Sequence, residues 1–196
     1  LFNLLILFSC KSFSQSSKKL EPIDVFSLEF VSDPKISPDG NKVLYVRNFK
    51  DIMTDNNFSN IWIINYDGTN NTPLTTGNQN DFSPEWSNSG KMFTYKSNID
   101  GSAQLYLHRL DHSSDQKLTN MQSSIGNVAW SFDDKKLAFN SFAEETKNSL
   151  IKMPKKPLGA KWNKAPIEIV DINYRNDGRG YAKQGSTQLF TIDVEG

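Results

Sequence analysis

From Asp33 onward the apolar residues come in short runs separated by polar turns. The runs include Lys42-Val43-Leu44-Tyr45-Val46, Asn60-Ile61-Trp62-Ile63-Ile64, Met92-Phe93-Thr94-Tyr95, Gln104-Leu105-Tyr106-Leu107 and Leu137-Ala138-Phe139. They are brief, rich in β-branched and aromatic residues and bounded by Gly, Asp, Asn and Ser, which predicts strands joined by tight turns. No 3.6-residue period is sustained after Val31, so helices are not expected there. Ahead of that point, Ile23, Phe26 and Phe30 stand three and four apart behind Pro22, which predicts a short helix within residues 21–31. Ala143 to Lys161 breaks the pattern: it is polar and charged, carries Pro154 and Pro157, and reads as a loop or insertion. Ile167 to Tyr174 alternates again and predicts a strand, with Asn176-Asp177-Gly178-Arg179-Gly180-Tyr181 as its turn.

The runs repeat. Ile36-Ser37-Pro38-Asp39-Gly40, Trp86-Ser87-Asn88-Ser89-Gly90 and Trp130-Ser131-Phe132-Asp133-Asp134 each precede a strand, and their starts lie 50 and 44 residues apart. A second motif, Asn60-Ile61-Trp62 and Gln104-Leu105-Tyr106, recurs at 44 residues and returns as Gln188-Leu189-Phe190 after 84, close to two periods. Leu74-Thr75 and Leu118-Thr119 are also 44 apart. A period of this size matches one four-stranded propeller blade. A blade is apolar on its faces and buries them only by stacking on neighbours. The expected fold is therefore all-β: a partial β-propeller of about three to four four-stranded blades with a short N-terminal helix. The competing architecture is a β-sandwich, but three motifs sharing one offset do not suit it. Closed propellers hold roughly 4–8 blades, so the chain reads as part of a longer protein.

Composition changes this picture little. The 196 residues carry 22 Lys and Arg against 22 Asp and Glu, for a formal net charge of zero, with 37% hydrophobic and 12% aromatic residues. That balance suits a globular fold and gives no footprint for nucleic acid. Leu1 to Phe8 is apolar except Asn3, too short to span a bilayer, which takes roughly 20 apolar residues. It reads as the end of a signal peptide, residues 1–14, with cleavage after Ser12-Phe13-Ser14 and before Gln15. A periplasmic or secreted location follows as an expectation. Cys10 is the only cysteine, so it has no internal disulfide partner. Leu7-Phe8-Ser9-Cys10 loosely resembles a lipoprotein box, and a membrane association would follow only if Cys10 is lipidated.

Candidate chemistry is sparse. No Gly-x-Ser-x-Gly elbow is present, so no catalytic residue is expected within this chain. His108 and His112 are the only histidines; they read as exposed residues near a strand end, without the further ligands a metal needs. No metal and no cofactor is expected. Arg175 and Arg179 flank the Asp177-Gly178 turn and could fork onto a peptide carboxylate. Pairing with Asp171 or Asp177 is the plainer reading. Trp86 and Trp130 hold the position of Ile36 in the first repeat, which points to packing between blades rather than to a ligand platform.

Two stretches carry a family resemblance. One is Val31-Ser32-Asp33-Pro34-Lys35-Ile36-Ser37-Pro38-Asp39-Gly40 with the helix before it. The other is Trp162-Asn163-Lys164-Ala165-Pro166 followed by Asn173-Tyr174-Arg175-Asn176-Asp177-Gly178-Arg179-Gly180-Tyr181 and Gln188-Leu189-Phe190. Together with the Trp-Ser turns between them, they resemble the N-terminal region of the prolyl oligopeptidase family of serine peptidases, closest to its acylaminoacyl-peptidase and dipeptidyl-peptidase-like bacterial members. The likeness runs from about Leu20 to the end, so residues 21–196 are expected to be the N-terminal part of the propeller domain, without the α/β-hydrolase domain. The resemblance implies a gating propeller over a hydrolase domain that cleaves peptides by Ser-His-Asp chemistry. Peptide substrate would then be met through that further domain, and a homo-oligomer is compatible. It also implies a role for Glu144-Glu145, because dipeptidyl peptidases hold a substrate's free amino terminus with paired propeller glutamates. Against that, Lys147, Lys152, Lys155 and Lys156 follow closely and suit a solvated loop. A non-enzymatic, TolB-like periplasmic scaffold is the alternative function.

Overall fold

The computed structural model describes residues 19–145, 154–163, 168–169, 172, 174–177 and 180–195. The signal-peptide reading, Cys10, Gln15 and Arg179 lie outside the described residues. Among those described, no helix is long and apolar enough to cross a membrane.

The fold is a partial β-propeller. The N-terminal helix is a single 3₁₀ segment, Pro22–Ser27, with proline in its first turn and a capping box between Glu21 and Asp24. The first blade is an antiparallel meander of β1 (Phe30–Ile36), β2 (Lys42–Asp51), β3 (Asn56–Asn65) and the short β4 (Thr72–Pro73). The second repeats it with β5 (Asp81–Trp86), β6 (Met92–Ser97), β7 (Gln104–Arg109) and β8 (Ser114–Lys117). In the third, β9 (Ile125–Trp130) pairs with β10 (Lys136–Glu144), and β10 pairs with β13 (Gly185–Asp193). Between β10 and β13, β11 (Arg175–Asn176) and β12 (Gly180–Tyr181) form the expected hairpin around Asp177.

The Gln188 motif thus is not two blades beyond Gln104. It is the third strand of the very next blade, displaced along the sequence by the insertion. Its ladder runs unbroken from Lys136 opposite Asp193 to Glu144 opposite Gly185. Gly185 is required at the foot of this ladder: a Cβ there would lie 2.1 Å from the Ala143 carbonyl oxygen. Blade count among the described residues is therefore two four-stranded sheets and a third of three strands. Of the strand expected over Ile167 to Tyr174, the described residues Glu168, Ile169, Ile172 and Tyr174 lie outside any strand.

Stacking of blade on blade makes the core. Leu44, Val46, Ile61 and Ile63 of the first blade meet Phe93 and Tyr95 of the second, with Trp86 and Tyr106 at the margin. The opposite face of the second blade offers Leu105 and Leu107 to Ile125, Leu137, Phe139 and Val194 of the third. Alternation along β6 and β7 serves both interfaces, since successive side chains point to opposite faces.

The repeated motifs have distinct structural tasks. In the first and third blade turns, both Ser-x-Asp, the serine hydroxyl accepts the first N–H of the next strand, from Lys42 to Ser37 at 2.9 Å and from Lys136 to Ser131 at 2.9 Å. It also donates to the aspartate two residues on. The Ser37 hydroxyl and then the Asn41 amide hold the Asp39 carboxyl down at about 2. The Leu-Thr pairs close the outer edge: Thr75 Oγ1 accepts from Ile61 N and Thr119 Oγ1 from Leu105 N, both at 2.9 Å.

Where the third turn departs from the pattern, Asp134 replaces glycine at φ 58° and becomes a clasp to the second blade. Its carboxylate accepts from Asn88 N at 2.7 Å, Asn88 Nδ2 at 2.8 Å and Ser89 N at 2.8 Å. Burial works against its charge, but the Ser89 and Asn88 donors prevail and hold its pKa below the ordinary aspartate value. The contribution of the clasp is therefore present above the unfolded-state pKa and fades as the pH falls through the depressed one. Asp134→Gly keeps the turn and removes the clasp; it is expected to cost about 1 kcal/mol at neutral pH. Denaturation curves at neutral and acid pH check this, and the difference from the parent should shrink on the acid side.

Candidate functional site

The first strands of the three blades converge. Trp86 Nε1 donates to the Lys35 carbonyl at 2.9 Å, and Trp130 Nε1 donates to the Glu85 carbonyl at 3.2 Å. Lys35 and Glu85 occupy the same repeat position, so each tryptophan locks its blade to the first strand of the preceding one. No such link joins the fourth strands, β4 and β8, among the described residues. These links bring the β1, β5 and β9 edges together, the arrangement of inner strands around the channel of a propeller, and this side is hereafter the axial side.

That wall is irregular by design of the sequence. Asp33 (φ 50°) and Ser83 (φ 52°) adopt the left-handed conformation immediately before Pro34 and Pro84. The β1–β2 and β5–β6 registers slip at these points. A bulge re-aims side chains along an edge. The outcome is a recess of about 280 Å³ lined by Asp33, Lys35, Ser83, Glu85, Lys96, Asn127 and Val128, drawn from all three blades.

Its charges are unequally matched. Lys35 Nζ bonds Glu85 Oε1 at 2.7 Å and lies 3.5 Å from Asp33 Oδ1. The Glu85 hydrogen bond raises the Lys35 pKa against the opposing effect of burial. Lys96 makes no ion pair with a described residue; its ammonium stands 5.9 Å from the centre of the Phe82 ring. Burial lowers its pKa, with Glu85 and Asp33 partly opposing. Phe82 also borders a second, open recess of about 460 Å³ with Ser59, Asn80, Asn98, Gly101, Ala103 and Ser124. This polar shelf and the axial recess meet in sequence at β5, where Phe82 lines the one and Ser83 the other.

The residues singled out in the sequence fall elsewhere. Glu144 ends β10 at the base of the insertion, and Lys183 bonds its carboxylate. Glu145 continues the ladder through its backbone N–H to the Gln184 carbonyl at 3.0 Å. Arg175 opens the β11–β12 hairpin opposite Tyr181 and forms no ion pair with either glutamate among the described residues. The expected exposed setting of His108 is incorrect. It lies on the face of β7 that meets the first blade, only 2% exposed, stacked 4.8 Å from Phe93 with Nδ1 2.8 Å from Asp115. Its neighbour in sequence spacing, His112, is exposed beyond the strand. No cluster of three or more metal-ligating side chains occurs among the described residues.

Lys35, Glu85 and Lys96 were missed because each is an ordinary charged residue in a strand. The available signal was positional: Lys35 and Glu85 both precede the residue at which the blade turn begins.

Fold and wall define a propeller built for stacking around an axis. The chain belongs to the TolB beta propeller domain family (PD40), whose model matches residues 17–160. Among curated proteins it is 25% identical over 173 residues to the uncharacterized peptidase YuxL of Bacillus subtilis, covering 88% of this chain and 26% of that protein. It is 28% identical over 138 residues to dipeptidyl-peptidase 5 of Porphyromonas gingivalis, covering 69% and 20%. The chain therefore spans about a quarter or less of the length of these relatives. Among solved structures it superposes on an acylaminoacyl peptidase in complex with Z-Gly-Gly-Phe-chloromethyl ketone with a TM-score of 0.63 at 19% identity, over 87% of this chain and 24% of the other. The uncomplexed Pyrococcus horikoshii acylaminoacyl peptidase gives 0.61 at 20%, with the same coverage. These findings bear out the resemblance to a propeller fragment of the prolyl oligopeptidase family.

Proposed function

We propose that this chain forms part of the substrate-access wall of a serine peptidase, with its axial edge lining the route by which peptides reach a hydrolase domain. The observation that carries this reading is the recess shared by β1, β5 and β9, polar and charged, on the side where the blades converge. The peptidase names of relatives matching most of the chain support it. In this reading residues 1–14 are the remnant of a signal peptide, residues 21–196 belong to the propeller, and the protein works outside the cytoplasm. A propeller gate selects by size: an extended peptide threads a narrow channel, and a folded domain does not.

The protein that carries this chain is expected to hydrolyse short chromogenic peptides, to be blocked by a serine-directed phosphonate, and to leave a folded protein containing the same cleavage sequence intact. Equal cleavage of the folded protein would refute the gate. Absence of any hydrolysis would favour the TolB-like scaffold, which the family match supports as the second reading.

A further inference from the structure

We infer that Lys96 is a carboxylate anchor for peptides in the axial recess, an inference that rests on the peptide-path reading and adds the chemistry of the ligand. Two ammonium groups face the recess, and only one is neutralised. Lys35 is held by Glu85 and Asp33. Lys96 projects from the second strand of the middle blade, rests on Phe82, and has no carboxylate within ion-pair distance among the described residues. A partly buried ammonium with no carboxylate in direct contact gains when one arrives, because charge-assisted hydrogen bonds strengthen as water is excluded.

Two further features make the place suitable for a peptide. Phe82 lines the open shelf and carries the Lys96 ammonium over its ring, so a chain lying across it reaches Lys96 from a polar approach. Asn80, Asn98 and Ser124 on that shelf, and Ser83 and Asn127 in the recess, are uncharged hydrogen-bonding groups of the kind that accept a backbone without dictating its sequence. The lining also disfavours a second cation: Asp33 and Glu85 are already engaged by Lys35, and Lys96 would repel it.

The carboxylate can be a peptide's C-terminus or an acidic side chain. Three fluorescein-labelled tripeptides separate these sources when titrated by anisotropy against the protein that carries this chain, with its hydrolase activity blocked: Gly-Gly-Gly with a free C-terminus, Gly-Glu-Gly-amide and Gly-Gly-Gly-amide. At least one of the two acids should bind about tenfold tighter than the amide, the scale of one charge-assisted contact. Which acid gains identifies the source. Lys96→Met should abolish the difference and Lys96→Arg should keep it. Lys135→Met, which removes a positive charge at the turn end of the third blade, should leave it unchanged. If all three peptides bind equally to the parent protein, or if Lys96→Met retains the preference, the anchor is overturned while the peptide path stands. If none binds, both fall.

Discussion

Phe93→Ala is expected to destabilise the propeller by about 3–5 kcal/mol, the usual cost of emptying a large buried aromatic site. Phe93 is fully buried where the second blade meets the first, with Trp86 packed edge-on at 6.0 Å and His108 stacked at 4.8 Å. Removing the ring would leave a void facing Leu44 and Ile61 and strip the support from His108, whose Nε2 already has no hydrogen-bond partner among the described residues. Strands cannot readily collapse into the gap, because β6 is fixed on both sides by β5 and β7. Phe93→Leu preserves most of the volume and should cost substantially less. Chemical denaturation followed by near-ultraviolet circular dichroism reads both variants. A loss below about 1 kcal/mol for the alanine variant would mean that the first two blades do not stack through this residue.

The features that the sequence displayed were those repeated at short range. Gly40 and Gly90 follow Ser37 and Ser87 by three residues, and each marks a turn whose geometry local chemistry determines. Trp86 and Trp130 shared a repeat position, and that position proved to be the lock between first strands. The place of Gln188 was not legible. Its strand pairs with β10 across the whole insertion, and nothing in a local pattern distinguishes a displaced third strand from one a blade further on. His108 was misplaced for a related reason. The pattern placed it near a strand end, but a polar side chain on an inward face is accommodated here by Asp115 and the Phe93 ring, partners brought in from β8 and β6. The axial recess escaped altogether, since Asp33, Lys35, Glu85, Lys96 and Asn127 come together only when three blades stack.

A bulky side chain in that recess should act on catalysis and not on folding. Asn127 lies on β9, exposed, at the edge of the space beside Lys96 and Ser83. An indole there occupies the room through which an extended peptide would pass, without entering either buried core. The expected result is a fall in kcat/KM of about tenfold or more for peptides long enough to reach across the wall, equivalent to at least ~1.4 kcal/mol on the barrier. Gln116→Trp places the same bulk on the exposed outer strand β8 and should change nothing.

The most direct measurement is therefore kcat/KM for a short chromogenic peptide and for a longer one, in the protein that carries this chain and in its Asn127→Trp and Gln116→Trp variants. Asn127→Trp is expected to slow the longer peptide far more than the short one, while Gln116→Trp matches the parent. Equal rates for all three proteins would contradict a substrate path along the axial wall.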